Sequence, residues 1–318
     1  MINDLIIEEI TLENSGDEWN KFISESINPN MYQYDEFIKI NSYKCRVVKN
    51  LVFKEKNKIV ASISFGIFEN NIIKSPFSSS FAGFNYLKNI QLTKLNIIIK
   101  RFIEYCSNNG FRRIEICEPP LIYFKEMDEK IDYALLSNSF ILKRYDVSFY
   151  KRKENWKENL KSNLKRNVKK AITYGLKFEK IDNIKECFDF ISKNKEKQKI
   201  PFSINYRDFE LLMEKYSQHI YLFGVYKNEI LISSIIMYSI NSRTILGFNW
   251  AQDKEFQQLR VSDFMLYKSI EWTFDNGYEF FDFGTTTLDG IINKGVTDFK
   301  EKFNPYTTLR KKYIYEIN

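Results

Sequence analysis

Residues 262–284, SDFMLYKSIEWTFDNGYEFFDFG, decide the fold. The stretch reads as a helix opened by Ser262 and stopped at Asn276-Gly277, followed by an aromatic strand. A residue just past a helix end often takes the left-handed conformation, which glycine reaches without strain. The same order stands earlier, in LTKLNIIIKRFIEYCSNNGFRRIEICEP at 92–119, where Asn109-Gly110 ends an amphipathic helix before another strand. Each helix follows a hairpin pattern. NLVFKEKNKIVASISFGIF at 50–68 turns at Lys-Asn, and IYLFGVYKNEILISSIIMYSI at 220–240 turns at Lys-Asn-Glu. The matched order predicts a duplicated α/β unit in an α/β (α+β) protein, each copy a mixed central sheet flanked by helices. The expected domains are 1–150 and 151–318.

Composition agrees with two packed cores. The 318 residues are 44% hydrophobic and rich in Phe and Tyr, with few Gly and Pro, which excludes disordered, collagen-like and loop-dominated classes. The start, MINDLIIEEI, does not read as a signal peptide, and ILISSIIMYSI at 230–240 is too short to span a bilayer. A cytoplasmic protein is expected. Cys45, Cys106, Cys117 and Cys187 are scattered, with one histidine, His219, in the chain. They predict reduced thiols and neither zinc nor a disulfide framework.

The net charge of +7 has a location. Residues 151–170 hold nine basic and two acidic side chains, a balance of +7 that equals the whole excess. In ENWKENLKSNLKRNVKKAITYGLKFEK, Trp156, Leu160, Leu164, Val168 and Ile172 recur every four residues beside a lysine stripe, predicting an amphipathic helix within 151–175. Such a stripe is either a solvated face or a place for a phosphate-bearing ligand. Arg166 is the strongest single candidate for phosphate, because its planar fork donates two parallel hydrogen bonds, and Lys165 stands beside it.

The Asp-Phe-Gly of residues 282–284 matches the magnesium-binding triplet of protein kinases. The glycine-rich loop, strand lysine and His-Arg-Asp loop of that chemistry are not in the sequence. The triplet instead ends a strand in the second copy, where α/β folds commonly place ligands.

The NLKRNVKKAITYGLKFEK helix and DFGTTTLDGIINKGVTDFKEKFNP, set between and after two acyltransferase-like units, resemble the FemABX/BioF2-like branch of the GNAT acyltransferase superfamily. That branch includes peptidoglycan aminoacyltransferases and GNAT-like proteins of surface-polysaccharide biosynthesis. The resemblance implies tandem GNAT-like domains and acyl transfer to an amine of an amino sugar or peptidyl precursor. The implied co-substrate is an acyl-CoA or an aminoacyl-tRNA, with no tightly bound cofactor. By resemblance the Phe-Lys-x-x-Phe element maps to Phe299, Lys300 and Phe303. It associates Lys300 with the active site and the acyl group under attack, and makes the basic helix, through Arg166 and Lys165, a binder of substrate phosphate. The family's final glycine is here Asn304, followed by Pro305. The glycine turn that cradles CoA pyrophosphate at a helix N-terminus is replaced by QQLRVSDF at 257–264, so Arg260 and Ser262 are the candidate donor contacts and Asp263 opposes phosphate.

Direct acyl transfer needs aligned reactants, a proton acceptor and positive charge near the developing oxyanion. Lys300 is the expected oxyanion partner, and Glu301 or Asp282 the expected proton acceptor. Thr285, Thr286, Thr287 and Asn293 are candidate hydrogen-bonding residues for the acceptor, and Trp250 for the acyl pocket. SPFSSSFAGF at 75–84 reads either as an acceptor groove or as an ordinary connection. The expected partners are a small-molecule, nucleotide-linked or lipid-linked acceptor, tRNA and an anionic membrane surface, with no DNA and no metal. An inert RNA-binding module is the alternative from another class.

Overall fold

The computed structural model describes residues 5–317. The chain divides into two compact units, Met1–Asp146 with Thr308–Asn318, and Val147–Thr307.

In chain order the first unit contains β1 (Leu5–Ile10), α1 (Leu12–Glu25), α2 (Asp35–Asn41), β2 (Val47–Glu55), β3 (Lys58–Ile67), β4 (Ile72–Ser75), β5 (Phe84–Tyr86), α3 (Leu92–Asn108), β6 (Arg113–Glu118) and α4 (Lys130–Ser137). β7 (Ile141–Arg152) leads into the second unit. There follow α5 (Ser162–Thr173), β8 (Lys177–Lys180), α6 (Ile184–Lys197), α7 (Tyr206–Tyr216), β9 (Ile220–Lys227), β10 (Ile230–Ser239), β11 (Thr244–Gln252), α8 (Val261–Asp275), β12 (Phe280–Thr285), β13 (Thr287–Leu288), β14 (Ile291–Ile292) and α9 (Lys294–Lys300). β15 (Tyr306–Glu316) closes the chain.

The duplication is visible in strand pairing. In the first unit β1, β2, β3 and β4 are successively antiparallel, β4 then pairs parallel with β6 across the α3 crossover, and β15 is antiparallel to β6. In the second, β8, β9, β10 and β11 are antiparallel, β11 is parallel to β12 across α8, and β7 is antiparallel to β12. The last strand of the first sheet is thus supplied by the C-terminal segment. The linear boundary at 150/151 does not anticipate this, because strand pairing follows space and not chain order.

Local chemistry explains the repeat. Both hairpins turn on two left-handed residues, Lys56 and Asn57 in one and Asn228 and Glu229 in the other, the twist that antiparallel strands favour. Gly110 and Gly277, each with positive φ, end α3 and α8. α3 buries Leu95, Ile98, Ile99, Phe102 and Cys106, one helical stripe, against β3 and β6 side chains. α8 is buried on most of its surface, and Ser269 and Thr273 satisfy their hydroxyls on the carbonyls of Met265 and Ser269.

Two expectations are corrected. The basic helix is shorter than 151–175: Lys151 and Arg152 belong to β7, and Trp156 and Leu160 are buried in the turns before α5. Its inner stripe is Leu164, Val168 and Ala171, whereas Ile172 is exposed, because a helix turns every 3.6 residues and a strict four-residue repeat drifts off the face. Ser262 does not open α8 either. The capping position is Arg260, in left-handed conformation, and Ser262 lies in the first turn with its hydroxyl donating to Gln252 Oε1 at 2.6 Å.

Candidate functional site

The parallel strands β11 and β12 pair only from Thr244 to Leu246 and from Phe280 to Asp282, although β11 continues to Gln252. Beyond Leu246 the two strands part. A bulge at Phe248 kinks β11, and a register shift between Asp282 and Thr285 kinks β12 against β7. Gly284 accounts for the second kink, with φ at +74° and open space where a Cβ would stand. Asp282 is fully buried and fixes the bulge. Its Oδ1 accepts hydrogen bonds from Gly284 N at 2.7 Å and Ser148 Oγ at 2.8 Å.

Lys300, at the end of α9, is 4% exposed and reaches back to this bulge. Its ammonium donates to the carbonyl oxygens of Thr285 at 2.7 Å and Gly284 at 3.0 Å. A positive charge is thereby held at the end of β12. Phe299 and Phe303 flank it, Phe299 against Trp250 with ring centroids 5.6 Å apart and Phe303 against Phe283 at 5.3 Å. Trp250 is half-buried at the edge of the second core. Asn304, where the resembled family has glycine, keeps the left-handed conformation at φ 47°, which asparagine tolerates better than most residues, and its carbonyl accepts from Lys151 Nζ at 3.0 Å.

The loop between β12 and α9 is largely self-satisfied. Thr286 N–H donates to Val147 O, and the Thr286 hydroxyl meets that of Thr297. Thr287 Oγ1 accepts from Val147 N at 2.9 Å, and Asn293 caps α9 by accepting from Val296 N at 3.2 Å. Leu288, Ile291 and Ile292 project from the β13–β14 hairpin, all exposed.

At the start of α8 the carboxylate of Asp263 is buried, and its partners come from two other elements. Asn167 Nδ2 of α5 donates at 2.6 Å, and Lys302 Nζ stands 3.2 Å away. The anion-favouring first turn of α8 therefore already carries an internal anion. Nothing in the spacing of Asn167, Asp263 and Lys302 announced this cluster.

α5 is pinned by that cluster and by Lys161 N–H on Lys302 O at 3.3 Å. Its outer face presents Arg166, Lys169 and Lys170, exposed and without a carboxylate within ion-pair range among the described residues, and Lys165, whose ammonium meets Glu158 O. Glu301 and Arg260 are exposed as well. His219 is half-buried before β9, and desolvation lowers its pKa, favouring the neutral ring. All four cysteines are free, and no group of three or more metal-ligating side chains gathers among the described residues. Nor is any described helix long and apolar enough to cross a membrane.

No protein-family profile and no curated protein matches the sequence. Solved structures do match. FemX superposes over 98% of this chain and 98% of its own, at TM-score 0.73 and 13% identity. L-PGS from Bacillus licheniformis covers 98% of this chain and 94% of its own at 0.63 and 14%. A tandem GNAT protein from the clavulanic acid biosynthesis pathway covers 98% of each at 0.56 and 7%. The chain shares the tandem GNAT-like fold of these proteins. Within this GNAT-like frame the structure brings Lys300, Asp282, Thr285, Phe299 and Trp250 around the parting strands of the second unit. Arg166 and Lys165 lie on α5, and Arg260 and Ser262 at the start of α8.

Proposed function

We propose that this protein is an acyltransferase that moves an acyl group onto an amine of an amino sugar or peptidyl precursor, with aminoacyl-tRNA favoured over acyl-CoA as donor. One observation carries the choice of donor: the buried Asp263 carboxylate at the start of α8. Backbone N–H groups and the helix dipole make such a terminus an anion site, and here that place is taken by a carboxylate already paired with Lys302 and Asn167, which a CoA pyrophosphate would have to displace. A tRNA does not need that cradle. Its backbone is attracted by the unpaired cations of α5, Arg166 first among them.

The acyl-bearing end then lies along the stretch of β11 that no longer pairs with β12, next to Trp250. Lys300, held on the Gly284 and Thr285 carbonyls, supplies positive potential where the oxyanion of the tetrahedral intermediate develops. Glu301, exposed at the end of α9, takes the proton that the acceptor nitrogen must lose to attack the carbonyl and returns it to the ribose oxygen of the departing tRNA as the amide forms and the ester C–O bond breaks, while Asp282 keeps the bulge in shape. The Thr286, Thr287 and Asn293 side chains build the loop that faces the acceptor. Similarity to FemX and L-PGS supports this class of reaction.

The test measures melting temperature and product formation with aminoacyl-tRNA, uncharged tRNA and acetyl-CoA. A ligand binding only the folded state raises the melting temperature. Stabilisation and transfer with charged tRNA, lost in Lys300→Met, support the proposal. Stabilisation by CoA compounds alone overturns the donor assignment, and equal shifts with any RNA, unaffected by Lys300→Met, leave an inert binding module. A lipid-linked acceptor is the second reading, favoured by the exposed Leu288, Ile291 and Ile292 of the β13–β14 hairpin. Co-sedimentation with vesicles containing anionic lipid tests it.

A further inference from the structure

On the α6 side of the second sheet, Lys195 carries a positive charge that no acidic group balances. Its side chain runs beside the Phe202 ring, 5.5 Å from the centroid, and its ammonium donates to Asn249 Oδ1 at 2.5 Å. Asn249 is 6% exposed and lies on β11 just past Leu246, on the part of the strand that has left β12. No carboxylate stands within ion-pair range of Lys195 among the described residues, and burial alone depresses its pKa. In the same unit Lys157 pairs with Glu271 and Lys302 with Asp263, whereas the buried Lys151 donates to the Asn304 carbonyl, so among the unit's described residues a lysine set only on an amide side-chain oxygen is the arrangement peculiar to Lys195 and Asn249. A partly desolvated ammonium without a counter-charge is costly, and such groups concentrate at binding sites.

We infer that Lys195 and Asn249 form a binding point for a carboxylate carried by the acceptor. The ammonium and the Asn249 amide together offer two adjacent donors, which matches the two oxygens of a carboxylate, and a single positive charge matches its single negative one. Phe202 supplies an apolar wall for the carbon chain. The inference rests on the acyl-transfer reading for the word acceptor. The binding point itself does not, and it can be measured without turnover.

The experiment uses the whole protein labelled with 13C at lysine Cε, with the Lys195 resonance assigned by its loss in Lys195→Arg. N-acetylglycine and inorganic phosphate are titrated separately. The expected result is a saturable shift of the Lys195 signal with N-acetylglycine, and binding weakened ~10-fold in Asn249→Ala, the loss of one hydrogen bond to a charged group. In protein labelled also with 15N, the Trp250 backbone amide reports the Lys195 variants: Lys195→Arg, which keeps the charge, retains binding within ~10-fold, and Lys195→Met abolishes it. No shift with the carboxylate, or a shift indifferent to Asn249→Ala, overturns the proposal, as does saturation by phosphate alone. Failure of acyl transfer alongside intact carboxylate binding would remove the proposed reaction and leave this site standing.

Discussion

The two copies of the repeat part company at their parallel strands. In the first unit β4 and β6 pair over four positions, and the chain itself then occupies the space beyond. Ala82 N–H donates to Cys117 O at 2.9 Å, and Phe84 N–H donates to Glu118 Oε1 at 3.0 Å. Phe81 and Phe84 are fully buried there. In the second unit β11 and β12 pair over three positions and separate, with a lysine at the bulge and the rest of β11 unpaired on the β12 side. The first copy has its gap crossed by residues 79–84, and in the second Lys300 reaches the bulge of β12 from α9. Duplication supplied two frames that differ in which chain segment meets the end of the parallel pair. The stretch 75–84 thereby reads chiefly as packing, although Ser64, Ser78 and Ser79 line a small crevice next to it.

The sharpest way to break this comparison is at the two glycines that end the two openings. A Cβ at Gly83 would stand 2.3 Å from the Glu118 carboxyl group on a backbone with φ at +72°. Gly83→Ala is expected to cost about 3 kcal/mol, combining overpacking with left-handed strain. Gly284 has the same backbone handedness and open space, so Gly284→Ala is expected to cost about 1 kcal/mol, from strain alone. Urea denaturation of both variants checks the order, and equal costs would mean that the first opening is not closed as described.

Lys300→Met comes next. It is expected to lower kcat about 100-fold, the scale of losing one oxyanion-stabilising group, with partial recovery in Lys300→Arg and little change in KM. A change confined to KM would assign Lys300 to binding.

Glu118 gives a pH signature to the closed copy. Burial raises its pKa well above that of an ordinary carboxylic acid. The folded state then holds a proton that the unfolded state releases above the ordinary glutamate range, so stability falls as pH rises from that range through the raised folded pKa. Glu118→Gln keeps an acceptor for Phe84 N–H and removes the titration. Its stability relative to the parent should therefore improve between pH 5 and pH 8, as measured by urea midpoints. A flat difference would sink the assignment.

The smallest effect belongs to α5. Arg166→Ala is expected to change stability by less than about 0.5 kcal/mol, as exposed substitutions do, and to lower the magnitude of the salt slope of RNA binding by about 1. An unchanged slope would place the RNA elsewhere.

Much of this was legible in residue order. The hairpin turns at Lys56-Asn57 and Asn228-Glu229, the Asn-Gly helix stops and the amphipathic pattern of α3 are local signals, set by backbone conformation and by which face of a helix is apolar. The element around Lys300 was legible through resemblance. Asp282 was legible as a residue at a strand end but not as a buried brace for a bulge. The extent of the basic helix was overread, because lysine spacing continues through turns that are not helical.

What remained hidden lay in contacts between distant segments. Asn167 and Asp263 are 96 residues apart, and Lys195 and Asn249 are 54 apart. Sequence determined by itself that the chain carries two hairpin–helix–strand units, since each turn and cap depends on a few neighbouring residues. Tertiary structure alone decided that residues 79–84 cross the end of the first parallel pair, that Asp263 is buried against Asn167 and Lys302, and that Lys195 is half-buried against Asn249 with no carboxylate in ion-pair range among the described residues. Those outcomes depend on desolvation and on hydrogen-bond partners that only packing brings within reach.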